Sequence, residues 1–381
     1  PGALMHQDTA APATFASATL GPLLRAQRTA RAYLDATTLR PDPVMTWASP
    51  NVILLDHPAM MLREFRLPGE TMRARRRAAK KAGAIPLLLV APEINGSNIA
   101  DYAPDQSFVR AALEAGFGRV AVVHWRSADA AIKDHRIEDS IAAIEAGVDA
   151  LGGRVHLAGI CQGGWEAAIV AARRPETAAS LTVIAAAIDF HAGDGALQHL
   201  VEAMPQEVYE AFVAAGGGVM RGAHLNRGFT MLKAWERLVV NPWRTWNQLD
   251  DPAAMERLDR FHGWYHSVKD LPGPMYLRAV DELFRHNRLV QGTFTLDGEP
   301  VDLRRIDCPV AMVAGRRDHI TPAAQVFALE DACGSQTTAR WELDAGHVGV
   351  CMGHGPLREH WPQIFAWLRD AAPDVASADA P

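Results

Sequence analysis

The chain has 381 residues, of which 49% are apolar and 22% charged, and its net charge is −6. That composition excludes a disordered, collagen-like or coiled-coil chain as a whole, and the acidic balance supplies no global basic field for tracking nucleic acid. No run approaches the roughly 18 consecutive apolar residues of a membrane span. Pro1 to Leu20 lacks the basic and apolar regions of a secretory leader. The four cysteines, Cys161, Cys308, Cys333 and Cys351, form no C-x-x-C pair, so a reduced, cytoplasmic setting is expected.

Residues 1–50 read as an arm with one helix, Leu20 to Leu39, ended by Pro41, Pro43 and Pro50. Asn51 to Phe65 reads as strand or turn material. The cationic run of Arg73, Arg75, Arg76, Arg77, Lys80 and Lys81 reads as a solvated connection, with contact to an anionic substrate or surface as the alternative. From Ile85 the pattern changes. Ile85–Val90, Arg119–Trp125, Val155–Ile160 and Leu181–Ile188 are apolar runs expected of strands buried on both faces. Between them Ser107–Ala115, Ile137–Leu151 and Glu166–Arg173 carry helical patterns. This alternation predicts an α/β fold with a mainly parallel central sheet.

Residues 191–299 break the rhythm with Gly216-Gly217-Gly218 and with Trp235, Trp243, Trp246 and Trp264. They read as a helical subdomain core, or as a helical cap walling an apolar channel. Pro309–Gly315 and Thr338–Leu343 then resume the sheet, and a helix over Leu357–Leu368 closes it. The expected organisation is an arm with leading strands (1–84), a core in two parts (85–190 and 300–370), an inserted cap (191–299) and a tail (371–381).

Gly159-Ile160-Cys161-Gln162-Gly163-Gly164 follows a buried strand and opens a helix, which is the setting of a nucleophile elbow, G-x-S-x-G, with cysteine in the serine position. The sharp turn needs small neighbours, and Gly159, Gly163 and Gly164 supply them. The helix that follows aims its N-terminal N–H groups at the sulfur. A cysteine nucleophile needs a base, and the base needs an orienting acid. Asp318 follows the strand Pro309–Gly315, and His347 follows Thr338–Leu343, so nucleophile, acid and histidine come in α/β-hydrolase order. Asp344 is a rival acid and His319 a rival base. An oxyanion hole would take the backbone N–H of Gln162 and one near Ile94, in the loop after Ile85–Val90. Cys308, Cys333 and Cys351 read as packing residues, and His124, His135 and His354 as ordinary polar residues. No metal-binding or nucleotide motif is present, so neither a metal nor a resident cofactor is expected.

From about Ile85 onward the sequence resembles the polyhydroxyalkanoate (PHA/PHB) synthases of the α/β-hydrolase superfamily, particularly the short class with a Gly-x-Cys-Gln-Gly-Gly box. The resemblance is carried by Ile94-Asn95, Asp105–Val109, Gly159–Gly164, Leu271–Arg278, Asn287–Val290, Gly298–Leu303 and Asp318-His319-Ile320. It implies that Cys161 is the acylated thiol, His347 its base and Asp318 the partner of that base. It further implies elongation of a polyester from hydroxyacyl-CoA with release of CoA, and a homodimer on cytoplasmic granules with a cap over the site. A partner subunit or granule proteins, and no nucleic acid, complete the expected company. The chain departs from the synthase pattern at His124-Trp125-Arg126, at Trp264–Ser267 and at Trp165. Two alternatives stand beside acyl transfer. One is a depolymerase or thioesterase using the same Cys-His-Asp set, although Gly164 favours the synthase side. The other is a non-catalytic granule-binding protein.

Overall fold

The computed structural model describes residues 21–28, 30–31, 46–232 and 251–374. Trp235, Trp243 and Trp246, and half of the helix expected over Leu20–Leu39, lie outside the described residues. The chain falls into two compact units, one drawn from residues 1–43 and 229–267, the other from 44–228 and 268–381. Within the first, a helix over Pro252–His266 begins at Asp251, whose Oδ1 accepts the N–H groups of Ala253 and Ala254 at 3.0 and 3.1 Å.

The second unit is built on a sheet of eight strands: β1 (Asn51–Asp56), β2 (Met60–Phe65), β3 (Leu87–Val90), β4 (Val120–Trp125), β5 (Val155–Ile160), β6 (Ala178–Ile184), β7 (Val310–Gly315) and β8 (Thr338–Leu343). Their order across the sheet is β1-β2-β4-β3-β5-β6-β7-β8. The pairs β1/β2 and β2/β4 are antiparallel, and every other pair is parallel. The central strands alternate between two cores because successive side chains point to opposite faces. Leu88, Val90, Ala121, Val123, Val155, Leu157, Met312 and Ala314 join one core. Leu87, Leu89, Val120, Val122, Ala158, Ile160, Ala311 and Val313 join the other. Both faces are therefore dry, which is why these strands read as unbroken apolar runs. The first core is covered by α2 (Ile137–Ala150) and α3 (Gln162–Arg173), the second by residues of the helices Phe108–Glu114 and Trp361–Ala371. Among the described residues no helix is long and apolar enough to cross a membrane.

Three local expectations are corrected. The cationic run is a helix, α1 (Met72–Ala82), and not a connection. Its Ala, Arg and Lys content favours helix, Thr71 caps the start by accepting from Ala74 N at 3.2 Å, and Gly83 ends it at φ 63°. The strand after α3 stops at Ile184, short of Ile188, because Ala185 turns into the left-handed region at φ 46°. Helix α3 begins at Gln162, four residues before Glu166, since Gly163 and Gly164 are wanted for close packing despite their poor helix propensity.

Part of the cationic helix is anchored rather than solvated. Glu64 on β2 is buried, and its carboxylate accepts from Arg119 at 2.7 Å and from Arg76 of α1. Burial pushes the Glu64 carboxyl upward, but the two guanidinium bonds outweigh it and hold the group below its ordinary range. A carboxyl depressed in the folded state contributes stability above its unfolded pKa and loses it as the pH falls through the folded value. Glu64→Gln is therefore expected to cost about 3 kcal/mol at neutral pH. In urea titrations the gap from wild type should narrow as the pH falls below about 4. A gap independent of pH would show that the ion pairs are not its source.

Candidate active site

Cys161 joins β5 to α3 with φ 52° and ψ −121°, a conformation that L residues seldom adopt. Its N–H donates to Ile184 O at 2.8 Å, and its carbonyl accepts from Gly164 N at 2.9 Å, so the turn is pinned on both sides. The three glycines are required by contact. A Cβ on Gly159 would stand 2.0 Å from Gly163 O, one on Gly163 would stand 2.2 Å from Val90 O, and one on Gly164 would stand 2.3 Å from the Ala186 methyl. These clashes explain a Gly-x-Cys-Gln-Gly-Gly box without reference to any relative.

Asp318 and His347 lie in the loops after the adjacent strands β7 and β8. Asp318 Oδ2 bonds to His347 Nδ1 at 2.7 Å, while its Oδ1 accepts from Ile320 N and Thr321 N at 2.9 and 3.0 Å. Both carboxylate oxygens are engaged and the side chain is shielded from solvent. With Nδ1 committed, Nε2 is the nitrogen left for the Cys161 sulfur, which lies against the ring. Burial draws the His347 pKa down, yet its interactions with the Cys161 sulfur and the Asp318 carboxylate more than compensate and raise it well above its ordinary value. The arrangement can take a proton from the thiol and hold it as an imidazolium.

The other candidates are placed as follows. Asp344 is exposed and pairs with Arg317 at 3.1 Å, away from the His347 bond. His319 offers its backbone carbonyl to Ala196 N at 2.9 Å. The Ile94 loop sits beside the elbow, because Glu93 N donates to Gln162 Oε1 at 3.3 Å. Cys308 and Cys351 are buried in apolar surroundings that push their thiols up, Cys308 to about 12. His124 accepts from Arg63 Nε at 3.1 Å, and burial with neighbouring cations holds it down to about 3. Met275, from the stretch expected to form the cap, places its sulfur 4.0 Å from Gln162 Nε2.

A polar cluster behind the elbow was not anticipated. Glu93 and Glu166 are buried, as is Lys269. Burial drives both carboxyls up, further for Glu166, which also faces Glu93. Burial draws the Lys269 amine down to about 7 against the pull of Glu93. The one sequence signal is an acidic residue at position 166 within Gly163–Ala172, whose other residues are all glycine or apolar.

A strand–elbow–helix turn carrying a cysteine, with a carboxylate-held histidine after the last two strands, defines an α/β-hydrolase-fold enzyme. The structure of a membrane phospholipase A superimposes with a TM-score of 0.50, covering 95% of this chain and 97% of that one at 14% identity, which shows the shared fold. The chain belongs to the family described as "Protein of unknown function (DUF3141)", whose model matches residues 96–335. It is similar to the poly(3-hydroxyalkanoate) polymerase subunit PhaC of Haloferax mediterranei, at 27% identity over 75% of this chain and 59% of that one. The PhaC subunit of Cupriavidus necator is 33% identical over 77% of this chain and 51% of its own. That of Thiocystis violacea is 24% identical over 91% of this chain and 98% of its own. The chain spans about three-fifths of the Haloferax mediterranei and Haloarcula marismortui proteins.

Two outcomes follow from the geometry alone. In proton NMR titrations Asp318→Asn should lower the His347 pKa and Asp344→Asn should leave it in place; equal effects would return Asp344 to candidacy. Gly164→Ala should destabilise the fold by about 1–3 kcal/mol, as overpacking does. Thermal unfolding indistinguishable from wild type would mean that the Ala186 contact relaxes freely.

Proposed function

We propose that the protein is a cysteine-dependent acyltransferase that polymerises hydroxyacyl-CoA into polyhydroxyalkanoate with release of CoA. The observation that carries this reading is the Asp318–His347 hydrogen bond set against Cys161 at the elbow. The similarity to polymerase subunits supports the choice of substrate.

His347 takes the thiol proton, and the sulfur attacks the thioester carbonyl. The backbone N–H groups of Gln162 and Ile94 receive the developing oxyanion. Collapse expels the CoA thiolate, which leaves with the proton from His347. In the second half the hydroxyl end of a chain gives its proton to His347 and attacks the acyl-cysteine. The Cys161 sulfur departs and recovers that proton. Asp318 holds the imidazole in the tautomer that both halves need. A thioester intermediate suits repeated exchange, because an incoming hydroxyl attacks it readily.

The same residues hydrolyse the ester or thioester if water reaches acyl-Cys161. The parts of the expected cap that belong to the second unit, residues 191–228 and 268–299, are proposed as the cover that excludes it, with Met275 as their contribution beside Gln162. The relatives' description as subunits favours a second subunit, and granule association and a homodimer belong to the same proposal.

With hydroxybutyryl-CoA, the wild-type chain should release CoA and form polymer with little free acid. CoA and hydroxybutyrate in equal amounts would replace the polymerase reading with a thioesterase. Cys161→Ala should retain less than about a hundredth of the rate while unfolding at the wild-type temperature. A higher residual rate would remove Cys161 from the nucleophile role.

A further inference from the structure

Behind the elbow lies a buried acidic pair that the triad does not use. Glu93 sits in the loop after β3, and Glu166 one turn into α3. The side chain of Gln162 links the Glu93 backbone to the Glu166 carboxyl. Its Oε1 accepts the Glu93 N–H at 3.3 Å, and its Nε2 donates to Glu166 Oε1 at 3.0 Å. Ser140 of α2 donates to Glu93 Oε1 at 2.7 Å. Glu166 Oε2 is buried and meets no N–H or O–H among the described residues, and the two carboxyl groups face one another. Burial raises both carboxyls, and Glu93 raises Glu166 further. The same loop is tied on its other side, where Lys269 N donates to Ile94 O at 2.7 Å and Lys269 Nζ to Trp125 O at 2.7 Å.

We propose that Glu93 and Glu166 are positioning residues that act through Gln162 to fix the spacing between the Ile94 loop and the elbow, and hence between the two backbone donors of the oxyanion site. The proposal rests on the reading of Cys161 as the acylated thiol. Glu166 determines which way the Gln162 amide points. With an acceptor at Glu166 Oε1, the amide nitrogen turns to it and the amide oxygen is left for the Glu93 N–H. Without that acceptor the amide is free to rotate, and the bond that spans loop and elbow loosens. Donors displaced by about 1 Å cost on the order of a hundredfold in rate.

What Gln162 uses is an acceptor oxygen on residue 166, and an amide supplies one. Glu166→Gln keeps a carbonyl for Gln162 and adds an N–H on the side of the orphaned Oε2. Glu166→Met fills a similar volume without an acceptor, and burying an apolar side chain in place of an acidic one is compatible with folding. The test is single-turnover acylation of Cys161 by hydroxybutyryl-CoA, followed by rapid quench and intact mass on the full chain, with thermal unfolding in parallel. Glu166→Gln should acylate within about threefold of wild type. Glu166→Met should be slowed about 10- to 100-fold, at an unchanged half-saturating substrate concentration and an unfolding midpoint close to wild type. A wild-type rate for Glu166→Met, or equal slowing of Glu166→Gln, overturns the proposal. Should Glu166→Met not fold, Gln162→Leu, at a half-buried position, must show the same slowing, and a wild-type rate there overturns it too. No adduct on the wild-type chain would sink the Cys161 reading and this role together. An adduct on wild type with Glu166→Met unaffected would sink this role alone.

Discussion

The architecture turns on one strained residue. Cys161 holds a backbone conformation that costs on the order of 1–3 kcal/mol for a residue with a side chain, and it persists because its surroundings allow no other path. Gly159 and Gly163 are in backbone contact, Gly163 meets the Val90 carbonyl at the end of β3, and Gly164 meets Ala186 just beyond β6. The elbow is thus clamped by the two strands that flank β5 in the sheet. Loosening any of these contacts would release the strain and withdraw the thiol from its half-buried position at the head of α3.

The other site residues follow from that anchor and from parallel pairing. Because β3, β5, β6, β7 and β8 run in one direction, their carboxyl-end loops gather along one edge of the sheet. The β3 loop brings Glu93 and Ile94 beside Gln162, and the β7 and β8 loops bring Asp318 to His347. Asp318 is fixed before it meets the histidine, since two backbone N–H groups of its own turn occupy Oδ1. The buried Glu93–Glu166–Lys269 cluster meets the elbow through Gln162, which accepts the Glu93 N–H and donates to Glu166 Oε1. One residue therefore links the chemistry to the packing beneath it.

Strands buried on both faces were legible as apolar runs, and the elbow as a glycine pattern after one of them, because both are properties of contiguous residues. Asp318 stood out because it follows such a run, and His347 because it follows the partly polar strand Thr338–Leu343. What was not legible depends on contacts between distant segments. The end of β6 is set by Ala185 turning left-handed beside α3, and nothing in the run Ala185–Ile188 marks that turn. The cationic helix is held by Glu64 from another strand, so its charges alone suggested exposure. Glu93 meets Gln162 across 69 residues of sequence, and a lone acidic residue in a loop gives no sign that it will be buried against a second one.

The central claim is that the thiol at the elbow carries the acyl group, and it can be observed directly. The full chain is incubated briefly with hydroxybutyryl-CoA, quenched in acid, digested, and each cysteine-containing peptide weighed. The account predicts one hydroxybutyryl group on Cys161 and none on Cys308, Cys333 or Cys351, with the adduct lost when a hydroxyl acceptor is added before the quench. An unmodified Cys161 in a chain that still releases CoA would contradict it.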